Sequence, residues 1–423
     1  MKKNMGGTPM LRKNKGARTV TTNPDVHIIT GNKAAAEAAR LCRVQVIAAY
    51  PITPQSSVVE NLAKYVDSGV LDAEFIAVES EHSAMSVLIG ASMVGARVFT
   101  ATSANGLAYM CEQIHWVAGS RLPIVMGCVN RALAAPWNVL NDQQDSMSMR
   151  DAGWIQIFCR NNQEILDTFI QAFKIAETTH LPVMVCYDGY ILSHTVMPVE
   201  VPTQEAVDAF LPPYKPHTVL DPAAPRNINP VTLADPRPNA DGVLCHGYME
   251  LRHLHHAALR EAIDTIVAVD NEFGAAFGRS WGGLYWDYLR ADAEVLLMAA
   301  GSLASEATAA VDALREAGVK AGVIGLRAYR PFPDDAVADA VAAAKVVVVF
   351  DKSLSYGYEG PICADLRAAL HGRATSPAVH GYIGGLGGRD IKARELVAAT
   401  CESIEWMKKN TGRKGTGWVN LQL

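Results

Sequence analysis

Charge is scarce in this chain: Asp, Glu, Lys and Arg make up only 19% of its 423 residues, with a formal net charge of -5. So weak a balance gives no basis for nucleic-acid binding. Together with 49% hydrophobic residues it suits buried parallel sheets and large subunit contacts. The one basic cluster, Lys2, Lys3, Arg12, Lys13, Lys15 and Arg18, has no interleaved aromatics and reads as a solvated or partner-bound arm over 1–26. No apolar stretch follows it, so a secretory signal is not expected, and no apolar run approaches the ~20 residues that span a bilayer. A cytoplasmic protein is therefore expected. Paired cysteines are missing too. The eight cysteines are scattered, with no Cys-x-x-Cys, which excludes a ferredoxin-type cluster or a zinc site within the chain.

What is present is an alternation of helix and strand. From residue 27 the apolar pattern predicts helices from Gly31, after Pro54, over His82–Val94, Leu107–Val117 and Glu164–Thr178. Strands are predicted at Val44–Ala49, Phe75–Val78, Val98–Thr102, Ile124–Val129 and Val183–Tyr187. Continuous apolar strands joined by helices argue for a doubly wound parallel α/β sheet over 27–210. Eight of the 21 prolines fall between Pro212 and Pro238, marking a linker. With a polar helix over about Gly247–Ala262 and a short strand at Ile266–Val269 it fills 211–290. A smaller α/β unit follows over 291–400, with strands Val295–Ala299, Ala321–Gly325 and Val346–Phe350, and a tail over 401–423.

Three segments carry candidate chemistry. Tyr50-Pro51-Ile52-Thr53-Pro54 follows a strand end; Thr53 and Pro54 read as the N-cap and first residue of a helix. Such a helix start either binds an anion in the crevice beyond the strands or is only a cap. Glu79-Ser80-Glu81-His82 places two carboxylates at the next strand end, either for proton exchange from a buried glutamate or as helix-start acids favoured by the dipole. Arg131, directly after an apolar strand, either grips a carboxylate or pairs with Asp142 or Asp145. His82 and His194 are read as structural hydrogen-bonding groups. Gly384–Gly388 lacks the spacing of a dinucleotide loop and reads as a turn. Glu250-x-x-His253 has no second copy and reads as a polar helix face.

Taken together, Tyr50–Ser57, Val78–Ala84, Thr102–Gly106, Asn130–Asp145, Arg150–Trp154, Tyr187–Tyr190, Gly301–Ala304, Arg330–Pro333 and Gly384–Asp390 resemble the alpha subunit of the pyruvate:ferredoxin oxidoreductase family. The resemblance covers nearly everything after residue 27. It implies a pyrimidine-type thiamine-diphosphate-binding domain and a smaller transketolase-C-terminal-like α/β domain. In this family a 2-oxoacid is decarboxylated on thiamine diphosphate, oxidised through iron–sulfur clusters and passed to coenzyme A. Residues matching Glu81, Pro51, Ile52 and Ser103 line the cofactor. The glutamate matching Glu81 contacts the aminopyrimidine and so favours the imino tautomer that takes the C2 proton, while residues matching Thr53 and Arg131 hold the substrate carboxylate.

The chain has no Gly-Asp-Gly followed by Asn, the pattern with which thiamine enzymes hold magnesium and diphosphate. The cofactor is therefore expected to be shared with a beta-type subunit that carries the Mg2+. Iron–sulfur clusters are expected on gamma- and delta-type subunits. Pyruvate is the first expectation for substrate and an aromatic acid such as phenylglyoxylate the second; indolepyruvate or a branched-chain 2-oxoacid, and ferredoxin or NAD as final acceptor, stay open. Trp137, Leu140 and Tyr109 are candidates for a substrate side-chain pocket. The rival from another class is a non-catalytic assembly subunit, against which the intact Thr53, Glu81 and Arg131 argue.

Overall fold

The computed structural model describes residues 25–216, 234–238, 242, 244–409 and 415–423. Most of the basic arm and of the proline-rich linker lie outside them.

Two sheets organise the chain. In the first, five fully or mainly apolar strands and a more exposed edge strand run parallel in the order Ile155–Phe158, Val183–Asp188, Val125–Asn130, Val98–Thr102, Val46–Ala49 and Glu74–Ala77. Strands buried on both faces need no polar alternation, and every residue of Val98–Thr102, Val125–Asn130 and Val183–Asp188 is buried. Helices Gly31–Leu41 and Asn162–Thr179 pack against each other over one face. The first is capped by the Thr30 side chain accepting from the Lys33 N–H, a contact worth ~1 kcal/mol. Helices Glu81–Met93 and Cys111–Gly119 share the other face.

The second sheet has the order Tyr285–Tyr288, Ala321–Leu326, Val295–Ala300, Val346–Asp351, Ala378–Ile383 and Gly417–Trp418, parallel except for its first strand. Helix Ala393–Lys408 runs through residue 400, and the residues after it return as the strand Gly417–Trp418.

The two sheets are stitched together. Ala328–Arg330, from the second half of the chain, adds antiparallel to Ile155–Phe158 at the edge of the first sheet. Beside it Arg327, fully buried, donates to Glu164 Oε1 (3.1 Å), Thr168, Gln171 and the Gly283 carbonyl. Truncating one partner of such a buried pair costs roughly 3–5 kcal/mol. On the other side Asp188, at the end of a first-sheet strand, accepts the Ser302 N–H at 3.0 Å and lies 3.5 Å from Lys352 Nζ. Ionic and hydrogen-bonding partners hold its carboxyl below the ordinary aspartate range despite its burial.

Two sequence expectations need correction. Ile266–Val269 is not a strand: it lies within the 30-residue helix Tyr248–Phe277, whose buried stripe takes Ile266 and Val269 and leaves Val267 and Ala268 exposed, and a four-residue apolar run looks the same in either setting. The single helix expected over Leu107–Val117 is two, Ala104–Tyr109 and Cys111–Gly119, joined at Met110.

Candidate active site

The strand Val46–Ala49 lies between Glu74–Ala77 and Val98–Thr102. Its following helix leads to one neighbour while the loop after Thr102 leads the opposite way. Such a switch point opens a crevice beyond the carboxyl ends of the strands, where ligands of open α/β sheets bind. All three candidate segments border it.

Glu81 opens the helix Glu81–Met93, whose N-cap Ser80 accepts the Ser83 N–H. Its side chain is buried, and among the described residues it meets only its own backbone N–H, so desolvation raises the carboxyl above the ordinary glutamate range. Across from it, Thr102 Oγ1 is buried without a hydrogen-bond partner among the described residues. Gly106 faces both: a Cβ there would lie 2.5 Å from Glu81 Oε1 and 2.6 Å from Thr102 Oγ1. An acid and a hydroxyl, both buried and without a side-chain partner among the described residues, lie against a helix that only glycine lets approach so closely, and together they form a cradle edge with polar atoms free for a polar planar group. Glu79 differs. Its carboxylate is bonded by the Ser83 hydroxyl, which holds it below the ordinary range.

Thr53 and Pro54 do not form the expected helix cap. The peptide between them is cis, the helix begins at Ser56, and Gln55 occupies the cap position with helical backbone angles and no capping side chain. Tertiary contacts explain the difference. Asn32 Nδ2 takes the Pro54 carbonyl at 2.7 Å and Gln55 Nε2 takes the Tyr50 carbonyl at 2.8 Å. Arg131 takes the Thr53 carbonyl, Nη1 to O, at 2.9 Å, and its Nε donates to the Asn138 carbonyl at 3.0 Å. The expected alternative of an ion pair with Asp142 or Asp145 is absent among the described residues, although Arg131 is buried. It is instead the Arg131 backbone N–H that reaches Asp145, at 3.0 Å.

Asp145 is the residue that sequence reasoning undervalued. Fully buried, it accepts from the backbone N–H groups of Ala104 (2.9 Å) and Arg131 and from Asn130 Nδ2 (2.7 Å), joining two site loops. Ala104 sits at a φ of 44°, a conformation that costs an L-residue energy unless held. Burial pushes Asp145 up to about 6. Ser103 is buried and donates its hydroxyl to the Val129 carbonyl at 2.6 Å; Pro51 is exposed and Ile52 half-buried on the crevice side of the strand. His82 contacts Gln113 of the helix Cys111–Gly119 at 2.9 Å and His194 contacts its neighbour Ser193 at 2.7 Å. Trp137, Tyr109 and Leu140 are exposed, Trp137 by 80%. Among the described residues no group of side chains forms a metal site, and no helix is long and apolar enough to cross a membrane.

Residues 37–258 match the family model for the thiamine-diphosphate-binding domain of pyruvate flavodoxin/ferredoxin oxidoreductase. Residues 293–396 match that for pyruvate:ferredoxin oxidoreductase core domain II. The ketoisovalerate oxidoreductase subunit VorA of Pyrococcus horikoshii is 43% identical over 95% of this chain and 99% of its own. The pyruvate synthase subunit PorA of Methanocaldococcus jannaschii is 47% identical over 88% of this chain and 93% of its own. The chain belongs to the alpha subunits of the 2-oxoacid:ferredoxin oxidoreductases. Its first domain is the thiamine-diphosphate-binding domain of that family, and the cradle at Glu81, Thr102 and Gly106 has the donor and acceptor character that an aminopyrimidine requires. A solved 2-oxoglutarate:ferredoxin oxidoreductase from Magnetococcus marinus shares the fold of this alpha subunit at a TM-score of 0.68 and 20% identity. The match covers 90% of this chain and 66% of that longer one. A split-gene transketolase shares it at a TM-score of 0.53 and 14% identity over 90% of this chain.

Proposed function

We propose that this alpha subunit supplies the pyrimidine-facing and carboxylate-gripping half of an active site completed by a beta-type subunit, for the CoA-acylating oxidation of pyruvate. The reaction converts pyruvate and coenzyme A into acetyl-CoA, CO2, one proton and two electrons. The electrons leave through iron–sulfur clusters on gamma- and delta-type subunits. Bound thiamine diphosphate supplies the carbon nucleophile and the electron sink for decarboxylation. The observation that carries the reading is that one crevice is bordered both by a buried Glu81, without a side-chain partner among the described residues, and by Arg131, held at the Thr53 carbonyl.

Glu81 accepts a hydrogen bond from the aminopyrimidine ring and holds its proton, a task suited to a carboxyl raised by burial. Pro51, Ile52 and Ser103 border the ring. Arg131, steadied by Thr53 and Asn138 through Nη1 and Nε, presents its remaining N–H groups to the substrate carboxylate. Thr53 contributes its hydroxyl to the same group. Trp137, Leu140 and Tyr109 face the substrate's side chain.

A shared site also accounts for the helix Glu81–Met93, which is apolar on nearly all sides, with exposed Ser86, Gly90 and, just beyond it, Val94. A helix without a polar face is one that a partner covers. Ketoisovalerate is the second reading for substrate, supported by the VorA relatives, which are almost as similar as the PorA ones. The test is reconstitution. Purified alone, the folded alpha chain should show no micromolar binding of thiamine diphosphate by calorimetry. Co-expressed with its beta-type subunit it should bind and turn over pyruvate faster than ketoisovalerate. Micromolar binding by the isolated chain contradicts the shared site, and the reverse substrate order contradicts pyruvate.

A further inference from the structure

The glycine run Gly384–Gly388 has no role in the reading above, yet it lies against the loop that carries Arg131. That loop, residues 131–142, closes on itself through the Ala132 N–H and the Leu140 carbonyl at 3.1 Å. The glycine loop holds it at three points. Asn138 Nδ2 donates to the Gly387 carbonyl at 2.9 Å, the Gly387 N–H donates to Asp142 Oδ2 at 3.1 Å, and the Gly388 N–H donates to the Asn141 carbonyl at 2.6 Å. The first of these residues is the one whose carbonyl takes Arg131 Nε. A continuous path therefore runs from the Gly387 carbonyl through Asn138 to the guanidinium.

The approach demands glycine twice over. Gly387 and Gly388 have φ values of 58° and 78°, where a side chain is strained. A Cβ on Gly387 would lie 2.5 Å from Asn138 Nδ2, and one on Gly388 would run into the Leu140 side chain. A loop that served only to turn the chain would tolerate larger residues wherever it faces solvent; these two face the Arg131 loop.

We propose that Gly387 and Gly388 are positioning residues: their loop braces residues 131–142 so that Arg131 meets the 2-oxoacid carboxylate in a single orientation. This gives the second α/β unit a part in substrate recognition, and it rests on the assignment of Arg131 to the carboxylate. Without the brace Asn138 can move, its carbonyl no longer fixes Nε, and the guanidinium samples orientations that miss the substrate.

The experiment uses the assembled complex, with whichever of pyruvate and ketoisovalerate it turns over faster, and compares Asn138→Ala, Gly388→Ala, Arg131→Met and the double variant Arg131→Met/Gly388→Ala. Asn138→Ala removes two side-chain hydrogen bonds, the one to the Gly387 carbonyl and the one from the Leu140 N–H, and should raise KM about 3- to 10-fold. Gly388→Ala adds backbone strain and should raise it about 10-fold or more. In both, kcat should stay within about twofold and bound thiamine diphosphate should not change, a pattern of lost ground-state binding. Amide hydrogen exchange across 131–142 should quicken in Gly388→Ala. In the Arg131→Met background Gly388→Ala should add less than about twofold, because the two act through one group.

Should Arg131→Met raise KM while Asn138→Ala and Gly388→Ala leave it unchanged, the brace is overturned and the carboxylate grip stands. Full additivity in the double variant, or a fall in kcat at constant KM, also overturns the brace. An unchanged KM in Arg131→Met overturns both. If Gly388→Ala prevents assembly, Asn138→Ala alone decides.

Discussion

Arg131 donates through Nη1 to the carbonyl oxygen of Thr53 across 2.9 Å. The two residues follow strands that are not neighbours, Val125–Asn130 and Val46–Ala49, with Val98–Thr102 between them. The contact thus bridges the mouth of the crevice, and it fixes the guanidinium before any substrate arrives, so little ordering remains to be done on binding. Replacing Arg131 by Met keeps an apolar stem and removes the charge-assisted contacts. Apparent substrate affinity should fall about 30-fold or more, roughly 2 kcal/mol upward, with cofactor content unchanged. Steady-state kinetics of the assembled complex at low substrate, with cofactor quantified separately, gives the answer; turnover near the parent value would return Arg131 to a purely structural role.

Glu81→Gln keeps size and hydrogen-bonding reach but cannot carry charge. Exchange of the cofactor's C2 proton with deuterium, followed by NMR in the complex before substrate is added, should slow by about 10²–10⁴-fold. Glu79→Gln should change it little, since that carboxylate is exposed and engaged with Ser83. A larger loss in the Glu79 variant would move the proton-holding role off Glu81.

Gly106→Ala tests the cradle itself. Its new methyl would run into the Glu81 carboxylate and the Thr102 hydroxyl and displace both. The complex should assemble yet bind thiamine diphosphate about 10-fold or more weakly, of the order of one displaced polar contact in a buried site. Calorimetric titration showing parent affinity would mean that the cofactor's ring lies elsewhere.

Much of this site was legible because its chemistry sits in short local runs. The strand Val98–Thr102 has the predicted bounds, and the helix expected over His82–Val94 is found at Glu81–Met93. Periodicity and an acid at a helix start are local signals. What could not be read depends on distant partners. Thr53-Pro54 fits a cap by composition, and only Asn32 and Arg131, brought in by the sheet, hold it as a turn. Asp145 looked like an ion-pair partner because sequence does not say that its acceptors would meet backbone N–H groups instead. Gly384–Gly388 was rightly a turn, but nothing along the chain shows what it turns against.

Asp145 also gives the site a pH signature. Its pKa of about 6 in the folded chain stands above the ordinary aspartate value of roughly 4. Between those values the native state keeps a proton that the unfolded chain has lost, so this group's contribution to stability falls as pH rises and is constant above about 6. Asp145→Asn removes that titration while leaving Asp142 in place. The variant-minus-parent difference in unfolding free energy should therefore climb between pH ~4 and ~6 and then level off. Urea denaturation across that range measures it, and a flat difference would show that Asp145 titrates normally.

The antiparallel strand Ala328–Arg330 bears on how the molecule is made. It covers the Ile155–Phe158 edge of the first sheet, whose residues are all buried. During synthesis every other strand of that sheet emerges long before this one, leaving an apolar, unpaired edge waiting through the whole linker and the start of the second unit. Exposed edges of that kind recruit other strands. Biogenesis of this subunit should then depend on chaperone capacity or on early capture by its partner, and a gene cut between the two halves should yield an N-terminal fragment that aggregates.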